Sequence, residues 1–254
     1  MADIQVLQGR TSLVTGASRG IGRAISIALA RLGSKVIAQY HKDSEAASTL
    51  MLELPGSGHR IVQADLGDVH GARQLFEKVA NECLDILVNN AGVYIEKPML
   101  EMDFDEWQSV WEKTIGLNLT GPAHLSYLVS RKMVEQSGGR IINITSRGAF
   151  RGEPDALAYG ASKAGLNSFG QSLAKALAPK NVLVFTVAPG FVETDMAREV
   201  LEGPRGEEIK AQSPLNRAAQ PEEIANLVAY LASDAPAYMT GCIVDVNGAS
   251  YLRS

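Results

Sequence analysis

The chain has 254 residues, 46% hydrophobic side chains and a formal net charge of −4. Such a length supports one sizeable core without staples, and the mild, dispersed acidity argues against nucleic acid as a partner. No apolar run approaches the ~20 residues of a membrane span, and residues 1–10 carry no apolar signal segment. Two cysteines, Cys83 and Cys242, are too few for a disulfide or metal framework and read as reduced, buried residues of a cytoplasmic protein. The N-x-T triplets at Asn118 and Asn143 are therefore not expected to carry glycans.

Seven short Val- and Ile-rich runs read as strands: 11–15, 35–40, 60–63, 84–89, 140–144, 182–187 and 242–246. They are nearly continuous apolar stretches, as strands buried on both faces are. Helix-length segments separate them, with apolar positions at 3.6 spacing such as Ala24, Ile27, Ala28 and Leu32. This alternation predicts the α/β class, a doubly wound parallel sheet of about seven strands with helices on both faces. No repeat or Pro/Gly/Ser linker divides residues 1–254, so a single domain is expected.

The first strand runs into Thr15-Gly16-Ala17-Ser18-Arg19-Gly20-Ile21-Gly22 and then directly into a helical pattern. Glycines there permit positive φ and close approach of a ligand, and the helix N-terminus offers free N–H groups to a pyrophosphate. A glycine-rich turn after the first strand of a βαβ unit is the Rossmann-type dinucleotide site. No G-K-[ST] follows, which excludes a P-loop nucleotidase. The second strand ends in Tyr40-His41-Lys42, with no acid before Asp43. An acid there would hold the ribose 2′-OH of NAD. Its absence, with the cations Arg19 and Lys42, favours the 2′-phosphate of NADP(H); NAD(H) is the alternative.

The fourth strand ends in Asn89-Asn90-Ala91-Gly92, small polar residues suited to lining a cofactor groove. Asp103, Asp105 and Glu106 suit the start of a helix, on which Trp107 and Trp111 share a face as packing or subunit contact. Asn118 lies in a helix-like segment, where it serves packing or holds a water. The fifth strand ends at Ile144-Thr145-Ser146, placing a hydroxyl donor at the carboxyl edge where parallel sheets bind ligands. Tyr159 and Lys163 follow at i and i+4 on one helix. An ammonium near a phenol favours the phenolate and suits general acid–base chemistry. Residues 201–213 are polar and rich in turn formers and read as a mobile insertion; 191–213 together, beginning with apolar Phe191 to Met196, read as a substrate lid over a mostly apolar pocket. His41, His59, His70 and His124 share no ligand spacing, and no metal site is expected.

Taken together, T-G-x-x-x-G-x-G at Thr15 to Gly22, Asp65-Leu66, N-N-A-G at Asn89 to Gly92, Asn118, Ser146, Y-x-x-x-K at Tyr159 to Lys163 and Pro189-Gly190 with Thr194 resemble the short-chain dehydrogenase/reductase family over nearly the whole chain. The C-terminal third is most similar to 3-oxoacyl-carrier-protein reductases. The resemblance implies that Tyr159 is the general acid–base, that Lys163 binds the nicotinamide ribose and lowers the tyrosine pKa, that Ser146 polarises the substrate carbonyl and that Asn118 holds a relay water. It implies that Asp65 contacts the adenine, that Asn90 and Gly92 line the ribose side, that Val192 and Thr194 face the carboxamide, and that Leu66, Ala91, Pro189 and Gly190 also belong to the cofactor site. The expected function is hydride transfer between NADP(H) and a ketone or secondary alcohol, with a 3-oxoacyl thioester as one substrate. Alternatives are an NAD-dependent dehydrogenase of a sugar, steroid or other secondary alcohol, and a catalytically silent nucleotide sensor. A homotetramer is expected, with contacts from 117–134, 162–177 and 242–246, and no nucleic-acid or membrane partner.

Overall fold

The computed structural model describes residues 5–253, apart from the side chains of Asp195, Met196 and Glu199. The Met196 contribution to the lid expectation therefore lies outside the described residues. Seven parallel strands form one sheet in the order β3-β2-β1-β4-β5-β6-β7. They are β1 Thr11–Val14, β2 Lys35–Tyr40, β3 Arg60–Gln63, β4 Ile86–Asn89, β5 Gly139–Ile144, β6 Val182–Pro189 and β7 Ile243–Val246. Among the described residues ten α-helices connect them: α1 Gly20–Arg31, α2 Ser44–Glu53, α3 Gly71–Val79, α4 Phe104–Ile115, α5 Gly121–Glu135, α6 Gly148–Arg151, α7 Leu157–Leu177, α8 Asp195–Glu202, α9 Gly206–Ala211 and α10 Pro221–Ala232.

The strands lack polar alternation because both faces are covered. Val14, Val36, Val88, Ile142 and Phe185 pack with Ile25 and Leu29 of α1 and with Ile224, Val228 and Leu231 of α10. Their neighbours Leu13, Ile37, Leu87, Ile141 and Val184 point the other way, onto Leu75 of α3, Leu125 and Val129 of α5 and Ala174 of α7. A period of two thus feeds two separate cores.

Chain direction across the sheet reverses at β1, which pairs with β2 on one side and β4 on the other. Parallel sheets bind ligands in the crevice at such a switch point. The Tyr159–Lys163 helix begins earlier than its apolar pattern, at Leu157.

Three expectations change. Residues 201–213 are not an unstructured insertion: they complete α8 and contain α9, joined by a small core of Leu201, Ile209 and Ala218 with Phe191, Ala197 and Val200. Asn118 sits in a π-helical turn, Gly116–Thr120, rather than in regular helix. Cys83 is exposed and Cys242 half-buried, so neither is a core cysteine. The acids at the start of α4 behave as expected, Asp103 accepting from the Glu106 amide at 2.8 Å. Asn118 and Asn143 are fully buried, leaving no room for a glycan.

Candidate active site

The glycine turn is defined by what it excludes. A Cβ on Gly22 would lie 2.2 Å from the Gly16 carbonyl oxygen and 2.5 Å from Asn90 Nδ2. Gly16 (φ +60) would meet Ala91 Cα at 2.9 Å, and Gly20 (φ +51) would meet Thr194 Cγ2 at 3.0 Å. The turn therefore bridges β1, the loop after β4 and the start of the lid.

Helix α1 opens on Arg19 without a side-chain cap and without an acid in its first turn. Its leading N–H groups and dipole are left for an anion, which is what a pyrophosphate requires. Bare backbone over the turn and an uncapped helix thus fit a dinucleotide. Arg19, Ser18 and Ile21 lie on this rim, Arg19 exposed and Ile21 packed against the core.

At the other end of the groove, Tyr40 closes β2 and His41 and Lys42 are exposed. Arg19 and Lys42 form no ion pair among the described residues, while Asp43 is occupied as the N-cap of α2, accepting from Ala46 N at 2.9 Å. The nearest acid past β2 is thus committed to a helix end, and the two cations stand open to a phosphate. Asp65 is half-exposed, with Oδ2 3.2 Å from His41 Nε2 and Oδ1 accepting from Gly67 N. Leu66 is buried.

Asn90 is turned inward. Its Nδ2 donates to the carbonyls of Thr15 (2.9 Å) and Gly16 (3.1 Å), which consumes both hydrogens. Its part is to brace the turn. Thr15 and Gln39, which sequence reasoning left without a role, do the same: Thr15 Oγ1 accepts from the amides of Asn90 and Ala91, and buried Gln39 accepts from Gly16 N and donates to Ala64 O. Thr15 directly precedes the first glycine of the turn, whereas the only sequence signal of Gln39 was a polar side chain inside the apolar run of β2.

Ser146, Tyr159, Lys163 and Asn118 converge. The Ser146 hydroxyl lies near enough to the Tyr159 phenol to favour its ionised form and accepts from Gly148 N at 3.0 Å. Lys163 Nζ donates to the Ile144 carbonyl at 3.0 Å and lies 5.7 Å from the centre of the Tyr159 ring. Gly92 makes room for it: a Cβ there would be 3.3 Å from Lys163 Nζ and 3.2 Å from Asn118 Oδ1. Asn118 accepts from Val93 N (2.8 Å) and donates to Val93 O (2.9 Å) and Ser162 Oγ (3.1 Å). Both its amide hydrogens are used, so a water held here takes a lone pair of Oδ1 or a main-chain carbonyl of the π-turn.

The tyrosine pKa runs opposite to expectation. Burial raises it, with Ser146 opposing and the Glu153 charge adding to the rise. Burial also drives Lys163 down to about 8. Desolvation exceeds the attraction between phenolate and ammonium at this separation. Tyr159 is thus held protonated, as a proton donor should be.

Two neighbours escaped the sequence reading. The Tyr94 ring packs edge-on against Tyr159, centroids 4.9 Å apart, and burial raises the Tyr94 pKa, aided by Glu96 and Glu153. Glu153 is bound by Arg151 through Nε (3.1 Å) and Nη2 (3.2 Å). The Tyr159 flank thus carries the carboxylates of Glu153 and Glu96 beside the Tyr94 ring, while Phe191 joins a small apolar core.

The segment after β6 forms the other wall. Gly190 N donates to Val246 O, and a Cβ on Gly190 would be 2.9 Å from Asn247 Cα, so Pro189 and Gly190 are pinned against β7. Buried Val192 bridges Ala219, and Thr194 caps α8 while touching Gly20. Thr194 therefore reaches the groove, whereas Val192 closes the root of the lid.

Residues 16–249 match a protein-family model described as Enoyl-(Acyl carrier protein) reductase. The chain is 42% identical to the 3-oxoacyl-[acyl-carrier-protein] reductase FabG of Aquifex aeolicus, over 96% of this chain and 98% of that protein. It is 40% identical to the FabG of Escherichia coli, over 96% and 98%. Among solved structures it is similar to a protein of Beutenbergia cavernae described as an NAD(P)-dependent gluconate 5-dehydrogenase with bound NADP (TM-score 0.89, 35% identity, 97% and 98% covered). It is also similar to a 3-oxoacyl (acyl-carrier-protein) reductase of Agrobacterium tumefaciens with NADP bound (TM-score 0.86, 32% identity, 96% and 95% covered).

Proposed function

The chain belongs to the short-chain dehydrogenase/reductase family and moves a hydride between NADP(H) and a ketone or secondary alcohol; from that premise we propose a 3-oxoacyl thioester as substrate, with Ser146, Tyr159, Lys163 and Asn118 carrying the chemistry. The observation that carries the site is the convergence of Ser146, a protonated Tyr159 and buried Lys163 beneath a glycine turn open to a pyrophosphate. The nucleotide, when bound, supplies the hydride that adds to the carbonyl carbon. The chain supplies the rest. Ser146 donates a hydrogen bond to the carbonyl oxygen, and Tyr159 delivers its phenolic proton there as negative charge develops. Lys163, held by Ile144 O, orients the nicotinamide ribose and offsets the phenolate left behind. The π-turn at Asn118 holds the water that returns the proton to Tyr159. Gly16, Ser18, Gly20, Ile21 and Gly22 receive the pyrophosphate. Arg19 and Lys42 receive the 2′-phosphate, Tyr40, His41, Asp65 and Leu66 flank the adenosine, and Ala91, Gly92, Pro189, Gly190 and Thr194 line the nicotinamide side. Asn90 and Val192 hold the walls in place.

The substrate lid over residues 191–213 closes on the cleft. It is fastened on both sides, by Arg205 to Glu96 (2.7 Å) and by Arg147 to Gln212 (2.5 Å). Cleavage at Arg205 and Lys210 by trypsin should slow once NADPH is present, and unchanged cleavage would refute closure. The polar flank of Glu153, Glu96 and Tyr94 favours a second reading, a hydroxylated sugar acid. Oxidation of NADPH with acetoacetyl thioesters, against reduction of NADP with gluconate-like acids, decides between them. Assembly as a homotetramer is supported by the unpaired edge of β7 and the exposed Tyr127 on α5. A mass near 27.1 kDa by light scattering would reject it. Among the described residues, no helix is long and apolar enough to cross a membrane.

A further inference from the structure

Behind the lid, on the side of β7, lies a cavity of about 60 Å³ walled by Arg147, Phe191, Arg217, Glu223, Asn247 and Ser250, among others. Arg147 follows the reactive Ser146 in sequence but points away from it, into this space. It is 3% exposed. Its guanidinium has one hydrogen bond, from Nη2 to Gln212 Oε1, and stacks at 5.6 Å on the Phe191 ring. No carboxylate among the described residues pairs with it. The acids nearby are already taken. Glu153 is bound twice by Arg151, and Glu223 twice by Arg217. Those two pairs cancel and reach toward solvent, which leaves buried Arg147 as the one positive charge of the described cavity wall without a carboxylate partner. On the wall of the same cavity the Ser250 Oγ is buried with no partner.

An interior cation is costly unless a counter-charge accompanies it, and the Arg147 N–H groups that face the cavity without a protein acceptor favour an anion there. We infer that this cavity is a binding site for a small monovalent anion, of the class of chloride or formate, held between the free N–H groups of Arg147 and the hydroxyl of Ser250. The volume admits such an ion and excludes a nucleotide or a phosphorylated tail. Burial lowers the Arg147 guanidinium to about 10, the direction expected of a cation lacking its counter-ion. Phe191 and Gln212, which Arg147 touches, stand near the two ends of the lid segment, so the anion would fasten the lid's root without entering the active site.

The test uses the intact protein. Crystals soaked in bromide should show an anomalous peak between Arg147 and Ser250. Melting temperature should rise by about 3 °C when a bulky sulfonate is replaced by sodium chloride or sodium formate at equal ionic strength. Both sources carry the same charge, and the formate arm shows whether carboxylates share the site. Ser250→Ala removes one donor at the surface of the cavity and should weaken the anion-specific shift several-fold. Arg147→Met should abolish it. If Arg147→Met does not fold, the serine variant and the bromide peak still decide. Equal melting in chloride, formate and sulfonate, or a cavity without an anomalous peak, would overturn the proposal in favour of water alone.

Discussion

Around the glycine turn, a Cβ at Gly16, Gly20 or Gly22 would come within 2.9, 3.0 or 2.2 Å of a neighbour, and Thr15, Gln39 and Asn90 brace the backbone from inside. The lid is held otherwise, by a small apolar core in which its own Phe191, Leu201 and Ile209 meet Ala218, and by polar links such as Arg205–Glu96 and Arg147–Gln212. One wall of the cleft is fixed by close packing, the other by contacts that can part and re-form. Interiors packed to crystal density do not deform continuously, whereas an exposed ion pair contributes little and exchanges readily. Rigidity is thus placed where the nucleotide phosphates must be met, and compliance where substrates enter.

The contrast can be broken by mutation. The largest effect belongs to Tyr159→Phe, which should lower turnover 10²–10⁴-fold while NADPH binding stays within about twofold, read by steady-state kinetics and fluorescence titration. Gly22→Ala forces a methyl against the Gly16 carbonyl and Asn90. Overpacking of this kind costs about 1–3 kcal/mol, so the melting temperature should drop and NADPH affinity should fall about fivefold or more. An unaffected Gly22→Ala would refute the rigid wall. Arg19→Ala with Lys42→Ala should weaken NADPH about tenfold or more and leave NADH unchanged, since each lost charge-assisted bond is worth roughly 1.5–3 kcal/mol.

A pH series sharpens the same comparison. Lys163 in the free protein titrates at about 8, below its ordinary value. NADPH binding should therefore weaken several-fold as pH rises through about 8, and Lys163→Met should bind weakly without that inflection. The stability sign is the reverse. Between pH 8 and the ordinary lysine range the unfolded chain binds one more proton than the folded chain, so this group's penalty lifts and stability rises with pH. The smallest effect is expected of Arg205→Ala. Its exposed pair with Glu96 is screened by solvent and contributes little, so KM should shift by no more than about fivefold with turnover and melting unchanged.

Sequence alone determined much of this protein. The seven strands, the glycine turn, the missing acid after Tyr40 and the Tyr159–Lys163 pair are local patterns: runs of consecutive apolar residues, a run of glycines, an i,i+4 spacing. Each depends on backbone geometry that neighbouring residues set. What tertiary structure decided lies between distant segments. Asn90 sits in the motif expected to line the cofactor, yet its amide faces Thr15 and Gly16, because β4 lies beside β1. The direction of the Tyr159 shift depends on how much water the packed helices remove, which no spacing records. Tyr94, Glu153 and the unpaired Arg147 reach their places only when β4, β5 and the lid meet at one sheet edge. The helices α8 and α9 form from a turn-rich stretch because Leu201 and Ile209 find Ala218 and Phe191. Burial and charge compensation are sums over neighbours far apart in the chain, so they emerge only with the fold.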